Sequence, residues 1–174
     1  MVQFACARGF RRFAGLAEAI ALLPYGRVAD SGDLAAPLKE SKGTCSSKHR
    51  LLAVVAHECG RADVQLVVGL YEMSQDNTPG IAAALGEIRS IPEAHCYLMH
   101  EGARLDFTGL PRGTASAFDA LIEEHIVAPA ELPTIKIVLH KRVIAEWAQA
   151  RGMAPDQAWA IREQCIAALV RQNP

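Results

Sequence analysis

The sequence predicts an α+β fold in which one buried helix packs on a small antiparallel sheet. Three observations indicate this: an apolar helical stretch begins at Gly43-Thr44-Cys45, a β-branched run follows it, and a polar turn at Glu101-Gly102 joins two short alternating segments. With 174 residues, the chain has the length of one ordinary domain. We therefore interpret residues 1–174 as a single domain, with a core at about 25–110 and a helical C-terminal extension at about 114–174.

The composition excludes several functional classes. Apolar residues make up 51% of the chain and charged residues 21%, which is typical of a globular protein. The net charge of −1 provides no basic surface for nucleic acid or anionic lipid. We see no secretory signal and no apolar run of the roughly 18 residues that a membrane span needs. The five cysteines are irregularly spaced, which favours reduced thiols and a cytoplasmic location.

The first half of the chain predicts helices around one buried element. Apolar residues at helical spacing predict a helix over 8–23, which ends at the turn signal Pro24-Tyr25-Gly26. Residues 27–42 have a mixed composition and predict a loop with at most a short helix. Thr44 or a neighbour caps the next helix, which runs to about Cys59 and ends at Gly60. Because this helix is apolar on more than one side, we expect it to be buried.

The second half predicts strands followed by helices. A β-branched run over 64–71 predicts a strand. Thr78 as cap and Pro79 at the first helical position predict a helix to about Arg89, which Ile91-Pro92 ends. A hairpin follows, with strands at about 94–100 and 104–108. The remaining residues predict three further helices, at 114–126, 135–150 and 155–171.

Cys45 lies where a loop turns into an apolar helix. A helix N-terminus carries unpaired N–H groups and about half a positive charge, so it stabilises a thiolate over a thiol. The thiolate is the nucleophilic form of cysteine. We therefore predict that Cys45 is a nucleophile and that Thr44 belongs to its site, although a buried, inert thiol is the alternative.

The predicted hairpin supplies the other groups that cysteine catalysis needs, an imidazole and a group that holds its tautomer. His95 lies in the first strand of the hairpin. If the turn has two residues, His100 faces Ala103, and Asp106 lies on the same face as His95 and diagonal to it. A three-residue turn would place Asp106 on the opposite face. We predict a catalytic set of Cys45, His95 and Asp106.

Other residues have more than one interpretation. His49 shares a helix face with Cys45, so it is either the base or, as we favour, a histidine that fixes loop geometry. Tyr25 and Tyr97 are candidates to line the site. Zinc is an alternative, with Cys45, His49, His95 and Cys96 as ligands, but regular strand alternation points His95 and Cys96 to opposite faces. We therefore predict no metal.

Gly43-Thr44-Cys45 at a helix start, His95 in a strand and Asp106 on the next strand resemble the transglutaminase-like superfamily of papain-like cysteine enzymes. The resemblance covers about residues 25–110 and is closest to the small bacterial members. It implies that Cys45 is the nucleophile and that His95 and Asp106 complete a triad.

These observations together predict acyl transfer or hydrolysis through a thioester on Cys45. The substrate would be a peptide or a small amide or ester, and the reaction needs no cofactor. The alternatives are a non-catalytic module that binds a peptide or partner on the same fold, and a Cys/His zinc protein.

Overall fold

The computed structural model describes residues 1–172, and the predicted α+β class is confirmed. Over these residues the chain forms helices and strands in the order α1 (Val2–Ala7), α2 (Phe13–Ala21), α3 (Ala36–Glu40), α4 (Cys45–Glu58), β1 (Gln65–Ser74), α5 (Ala82–Leu85), β2 (Ser90–His100), β3 (Ala103–Leu105), a 3-10 helix (Ala117–Ala120), β4 (Leu121–Ile126), α6 (Leu132–Gln149) and α7 (Pro155–Gln172). The four strands form one sheet in the order β3-β2-β1-β4. No helix within 1–172 is both long and apolar enough to cross a bilayer.

The hairpin of β2 and β3 has the predicted two-residue turn. The strands are antiparallel, and His100 pairs with Ala103. Glu101 and Gly102 both have positive φ, at 50° and 76°, as a type I′ turn requires. The predicted register is therefore confirmed, but the predicted extent of the second strand is wrong. This strand ends at Leu105, because the side chain of the next residue, Asp106, accepts a bond from the N–H of Thr108 and the pairing stops there.

The chain forms two compact units, and each is assembled from separate stretches of sequence. The first unit contains Met1–Val68, Cys96–Gly109 and Ile126–Pro133. The second contains Gly69–His95, Leu110–His125 and the described residues from Thr134 onwards.

The first unit is built around α4, on which α2 and α3 pack. Eight of the 14 residues of α4 are buried, as its apolar pattern predicts. The helix ends at Glu58, and Gly60 follows with φ +77°, so its predicted bounds are confirmed. The single helix predicted over 8–23 is in fact α2 alone. Gly9, at φ +91°, and Arg12, which is extended, separate α2 from the preceding α1.

The second unit contains α5, which packs against α7, and most of α6. The last two predicted helices are confirmed, with α6 beginning three residues early at Leu132. The long helix predicted from Thr78 to Arg89 is wrong, because only α5 forms. The amide oxygen of Gln75 accepts bonds from the N–H groups of Gly80, Ile81 and Ala82 and caps this short helix instead.

Two other predictions near these elements are wrong. Thr78 is not a cap, since its hydroxyl bonds Tyr71 Oη at 3.1 Å, and Ile91-Pro92 lies inside β2 instead of ending a helix. The helix predicted over 114–126 is a 3-10 turn followed by β4. In β4 every second residue is exposed, a period of two that a helix does not show. The C-terminal extension is therefore not wholly helical.

A buried ion pair in the second unit joins β2 to α7. Glu93 accepts two bonds from Arg162, at 2.5 and 2.7 Å. His140 Nε2 lies 3.0 Å from the Pro92 carbonyl oxygen, and its ring packs 5.0 Å from Trp159. Burial by itself raises the pKa of Glu93, but Arg162 and then His140 outweigh burial and hold this pKa below its ordinary value.

Candidate functional site around the start of helix α4

The first turn of α4 is fixed by its own side chains and by the loop before α3. Thr44 is the N-cap, and its N–H donates to Ser47 Oγ at 3.0 Å as part of a capping box. Gly43 forms a parallel bridge with Tyr25, and its N–H donates to the Pro24 carbonyl at 3.0 Å. The loop that carries Tyr25 therefore lies beside the entry to α4.

Cys45 is the first residue of α4 and is 5% exposed. The hydroxyl oxygen of Ser46 lies 3.9 Å from Cys45 Sγ and 3.5 Å from Cys96 Sγ. Cys96 is on β2 and fully buried. One hydroxyl therefore contacts two thiols that are far apart in sequence. Its single proton is available to only one sulfur at a time.

His49 has both ring nitrogens engaged by backbone groups. The Phe107 N–H donates to Nε2 at 2.7 Å, and Nδ1 lies 2.8 Å from the Cys45 carbonyl oxygen. Because an amide N–H only donates, Nε2 carries the lone pair, and the ring proton is on Nδ1, which donates to the carbonyl. His49 is thus a neutral imidazole that ties the first turn of α4 to the segment after β3.

Asp106 begins that segment. Its Oδ1 accepts bonds from the N–H and the hydroxyl of Thr108, at 2.8 and 2.6 Å. The same oxygen lies 3.6 Å from His49 Nε2. Since this nitrogen already accepts the Phe107 N–H, it has no proton to offer Asp106. The side chain of Asp106 is 37% exposed, so its carboxylate retains access to solvent.

Lys48 is the unexpected member of the site. It is fully buried, and its ammonium donates to the carbonyls of Leu23 at 2.6 Å and Thr108 at 2.7 Å. Burial lowers the pKa of Lys48 from 10.5 to about 8, and coulombic interactions, first with Asp106 and then with Cys45, limit this fall. No role for Lys48 is predicted from the sequence. The sequence feature that could have indicated Lys48 is its position on the apolar side of a helix, three residues after the predicted nucleophile.

The chain matches no family model, no curated protein and no solved structure. The resemblance to the transglutaminase-like superfamily thus depends on Gly43-Thr44-Cys45, His95 and Asp106 alone.

The first unit gathers several of the predicted site residues near the start of α4: Thr44, Cys45, His49, Asp106 and the loop of Tyr25. Tyr97 belongs to the same unit and is fully buried in β2. His95 belongs to the second unit, where it is half-buried and its ring lies 6.2 Å from Tyr71 and 6.4 Å from Phe118. The pairing of Cys45 with His95 stays a prediction.

The predicted zinc alternative gains no support. Among residues 1–172, no group of three or more histidine, cysteine, aspartate or glutamate side chains is placed to hold a metal ion. The five cysteines, all of which lie in this range, are free thiols.

The buried lysine makes stability depend on pH. Between pH 8 and 10.5 the folded protein has released the Lys48 proton, whereas the unfolded chain still holds it. The unfolded state then binds more protons, so the free energy of unfolding rises with pH in this window, by up to about 3 kcal/mol. Below pH 8 the lysine is charged in both states, and the penalty for burying it is fully present.

Denaturant unfolding at pH 7.5, 8.5, 9.5 and 10.5 measures this rise as the difference between the wild type and Lys48→Met. Lys39→Met is the control, because Lys39 is exposed and pairs with Asp33. We expect the wild type to gain stability relative to Lys48→Met as the pH increases, and to stay parallel to Lys39→Met. Parallel curves for the wild type and Lys48→Met would contradict the assignment.

Proposed function

We propose that the protein is a cysteine-dependent acyl-transfer enzyme or hydrolase, with a transglutaminase-like fold and Cys45 as its nucleophile. One observation carries the proposal: Cys45 is the first residue of a capped 14-residue helix. A helix of that length has its full dipole field at the first turn, where negative charge is stabilised. The thiolate needed for attack on a carbonyl is thus favoured at this position.

The base in this proposal is His95. His49 is the nearest histidine in sequence, but backbone groups occupy both of its ring nitrogens. The other imidazoles also have partners away from Cys45, namely His57 at the Val64 carbonyl, His100 at Asp63, His125 at Glu123 and His140 at the Pro92 carbonyl. This supports the assignment that sequence analysis makes from the strand position of His95, with Asp106 as the group that orients it.

The reaction proceeds in two halves. The Cys45 sulfur forms a bond to the carbonyl carbon of an amide or ester, the thiol proton goes to the imidazole, and the bond to the leaving amine or alcohol breaks as that group takes up the proton. In the second half, water or an amine loses a proton to the imidazole, attacks the thioester and displaces the Cys45 thiolate. Hydrolysis and amine transfer differ only in this acceptor.

Alkylation at pH 6 tests the nucleophile. We expect iodoacetamide to label Cys45 at least about tenfold faster than Cys59, because an ordinary thiol is almost wholly protonated at this pH. Cys59 is the stringent reference, since it is exposed whereas Cys45 is buried, and access alone favours Cys59. Peptide mass spectrometry after timed labelling gives both rates. Labelling of Cys45 at or below the rate of Cys59 would exclude the proposal.

An activated ester tests the acyl-enzyme. Treatment with p-nitrophenyl acetate should place one acetyl group on Cys45 and release one equivalent of p-nitrophenolate in a burst. Cys45→Ala should lack the burst, while Cys59→Ala, the matched control, keeps it. In His95→Gln and Asp106→Asn, the acetyl group should persist longer, because the base that activates water is lost or misoriented. Unchanged deacylation in both variants would remove these residues from the mechanism.

A further inference from the structure

We propose that Lys48 is a positioning residue for Cys45, whose buried ammonium, one helical turn after the sulfur, stabilises the thiolate in addition to the helix itself. This inference rests on the proposed function of Cys45. It assigns a role to a charged group that the two-step reaction does not otherwise use.

The hydrogen bonds of the Lys48 ammonium do not neutralise its charge. Its two hydrogen-bond acceptors, the carbonyls of Leu23 and Thr108, are neutral oxygens, and its side chain is 0% exposed. Water therefore screens the charge poorly, and the interaction with nearby anions is stronger than at a surface. The anions that act on it are Asp106 and ionised Cys45. Residues three apart on a helix are also neighbours on its surface.

Gly43 is part of the same arrangement. A Cβ atom at this position would lie 2.9 Å from Lys48 Cγ and 2.9 Å from Ser47 Oγ, which is closer than such atoms approach. The missing side chain leaves room for the stem of Lys48 to cross the start of α4. The sequence Gly43-Thr44-Cys45 thus combines a cap, a nucleophile and space for a buried cation.

The titratable groups that face Cys45 and Lys48 determine in which direction the ionisation of the Cys45 thiol shifts. On α4, His49 is neutral, with both ring nitrogens bonded. From the segment after β3, the partly exposed Asp106 opposes a thiolate, and on β2 the thiol of Cys96 meets Ser46. Lys48 is a buried cation of this unit whose charge interacts with Cys45. Its charge should move the ionisation of the thiol to lower pH.

The experiment measures the alkylation rate of Cys45 against pH in the full chain and reads the pH at half-maximal rate. Lys48→Met and Lys48→Gln, which remove the charge, should raise this midpoint by about one pH unit or more. Lys48→Arg, which keeps a charge, should stay closer to the wild type. The matched control is Arg50→Met on the same helix. Arg50 also bonds backbone carbonyls, those of Pro129 and Ser31, so its loss should leave the midpoint in place.

A reciprocal measurement needs no change at Lys48. The titration of Lys48, followed by NMR of protein labelled at the lysine ε-carbon, should move to lower pH when Cys45 is replaced by alanine or capped with iodoacetamide. Coupling between two sites must act equally in both directions. This keeps the inference testable even if the lysine variants fail to fold.

The outcomes separate the two proposals. If the wild-type midpoint is that of an ordinary thiol, Cys45 is not an activated nucleophile and the proposed function fails. If Cys45 is ionised at pH 6 but Lys48→Met, Lys48→Gln and the reciprocal titration show no change, the proposed function stands and Lys48 has no role in it. The inference is supported if the Cys45 midpoint rises in Lys48→Met and Lys48→Gln and the Lys48 titration moves to lower pH when Cys45 is replaced or capped.

Discussion

Arg162→Met should lower the free energy of unfolding by about 3–5 kcal/mol. The substitution leaves the Glu93 carboxylate buried, at 5% exposure, without the guanidinium that accounts for both of its short bonds. Breaking a buried ion pair on one side costs this much because the remaining charge is desolvated and uncompensated. Denaturant unfolding at pH 7 measures the loss.

A second substitution tests that explanation. Glu93→Gln in the Arg162→Met background removes the orphaned charge and should recover a large part of the stability. Arg142→Met is the surface control, because Arg142 pairs with Glu123 and Glu146 while 43% exposed, and it should cost no more than about 1 kcal/mol. If the double variant is as unstable as Arg162→Met, the loss comes from packing rather than from the buried charge.

Gly109→Ala should be destabilising by about 3 kcal/mol, and more than any alanine introduced at an open glycine. Gly109 has φ +79°, and a Cβ atom there would lie 1.9 Å from the Ala21 carbonyl oxygen. Left-handed backbone costs an alanine about 1 kcal/mol, and overlap with a backbone atom that cannot turn away adds about 1–3 kcal/mol.

Gly60→Ala separates these two contributions. Gly60 has nearly the same φ, +77°, but nothing lies within 4 Å of an added Cβ atom. Gly60→Ala should therefore lower the free energy of unfolding only by the cost of left-handed backbone, about 1 kcal/mol. Thermal and denaturant unfolding of the two variants gives the difference directly. Equal losses would mean that the backbone beside Ala21 relaxes freely.

The elements with strong local signals are the ones that the sequence predicts well. α4 has a cap at Thr44 and a glycine past its end, and the hairpin has Glu101-Gly102, whose two positive φ angles set the register. Such features depend on neighbours within a few residues. The same is true of α6 and α7, which have regular apolar spacing and proline near their starts.

The wrong predictions share a dependence on distant contacts. α5 begins only at Ala82, where the side chain of Gln75 accepts the N–H groups of residues 80–82, and it ends before Gly86 at φ +61°. β4 lies at the edge of a sheet whose order no local pattern encodes. At the site, the partners of Lys48 come from 25 and 60 residues away. Periodicity and composition contain no information about such partners.

The burial of Lys48 also makes it a chemical reporter. The other four lysines, at positions 39, 42, 136 and 141, are at least partly exposed, so amine-reactive reagents modify them in the folded protein. Acylation of Lys48 requires its ammonium to leave the Leu23 and Thr108 carbonyls. The acylation rate of Lys48 therefore measures how often the first turn of α4 separates from its surroundings. This measurement needs no substitution in the chain.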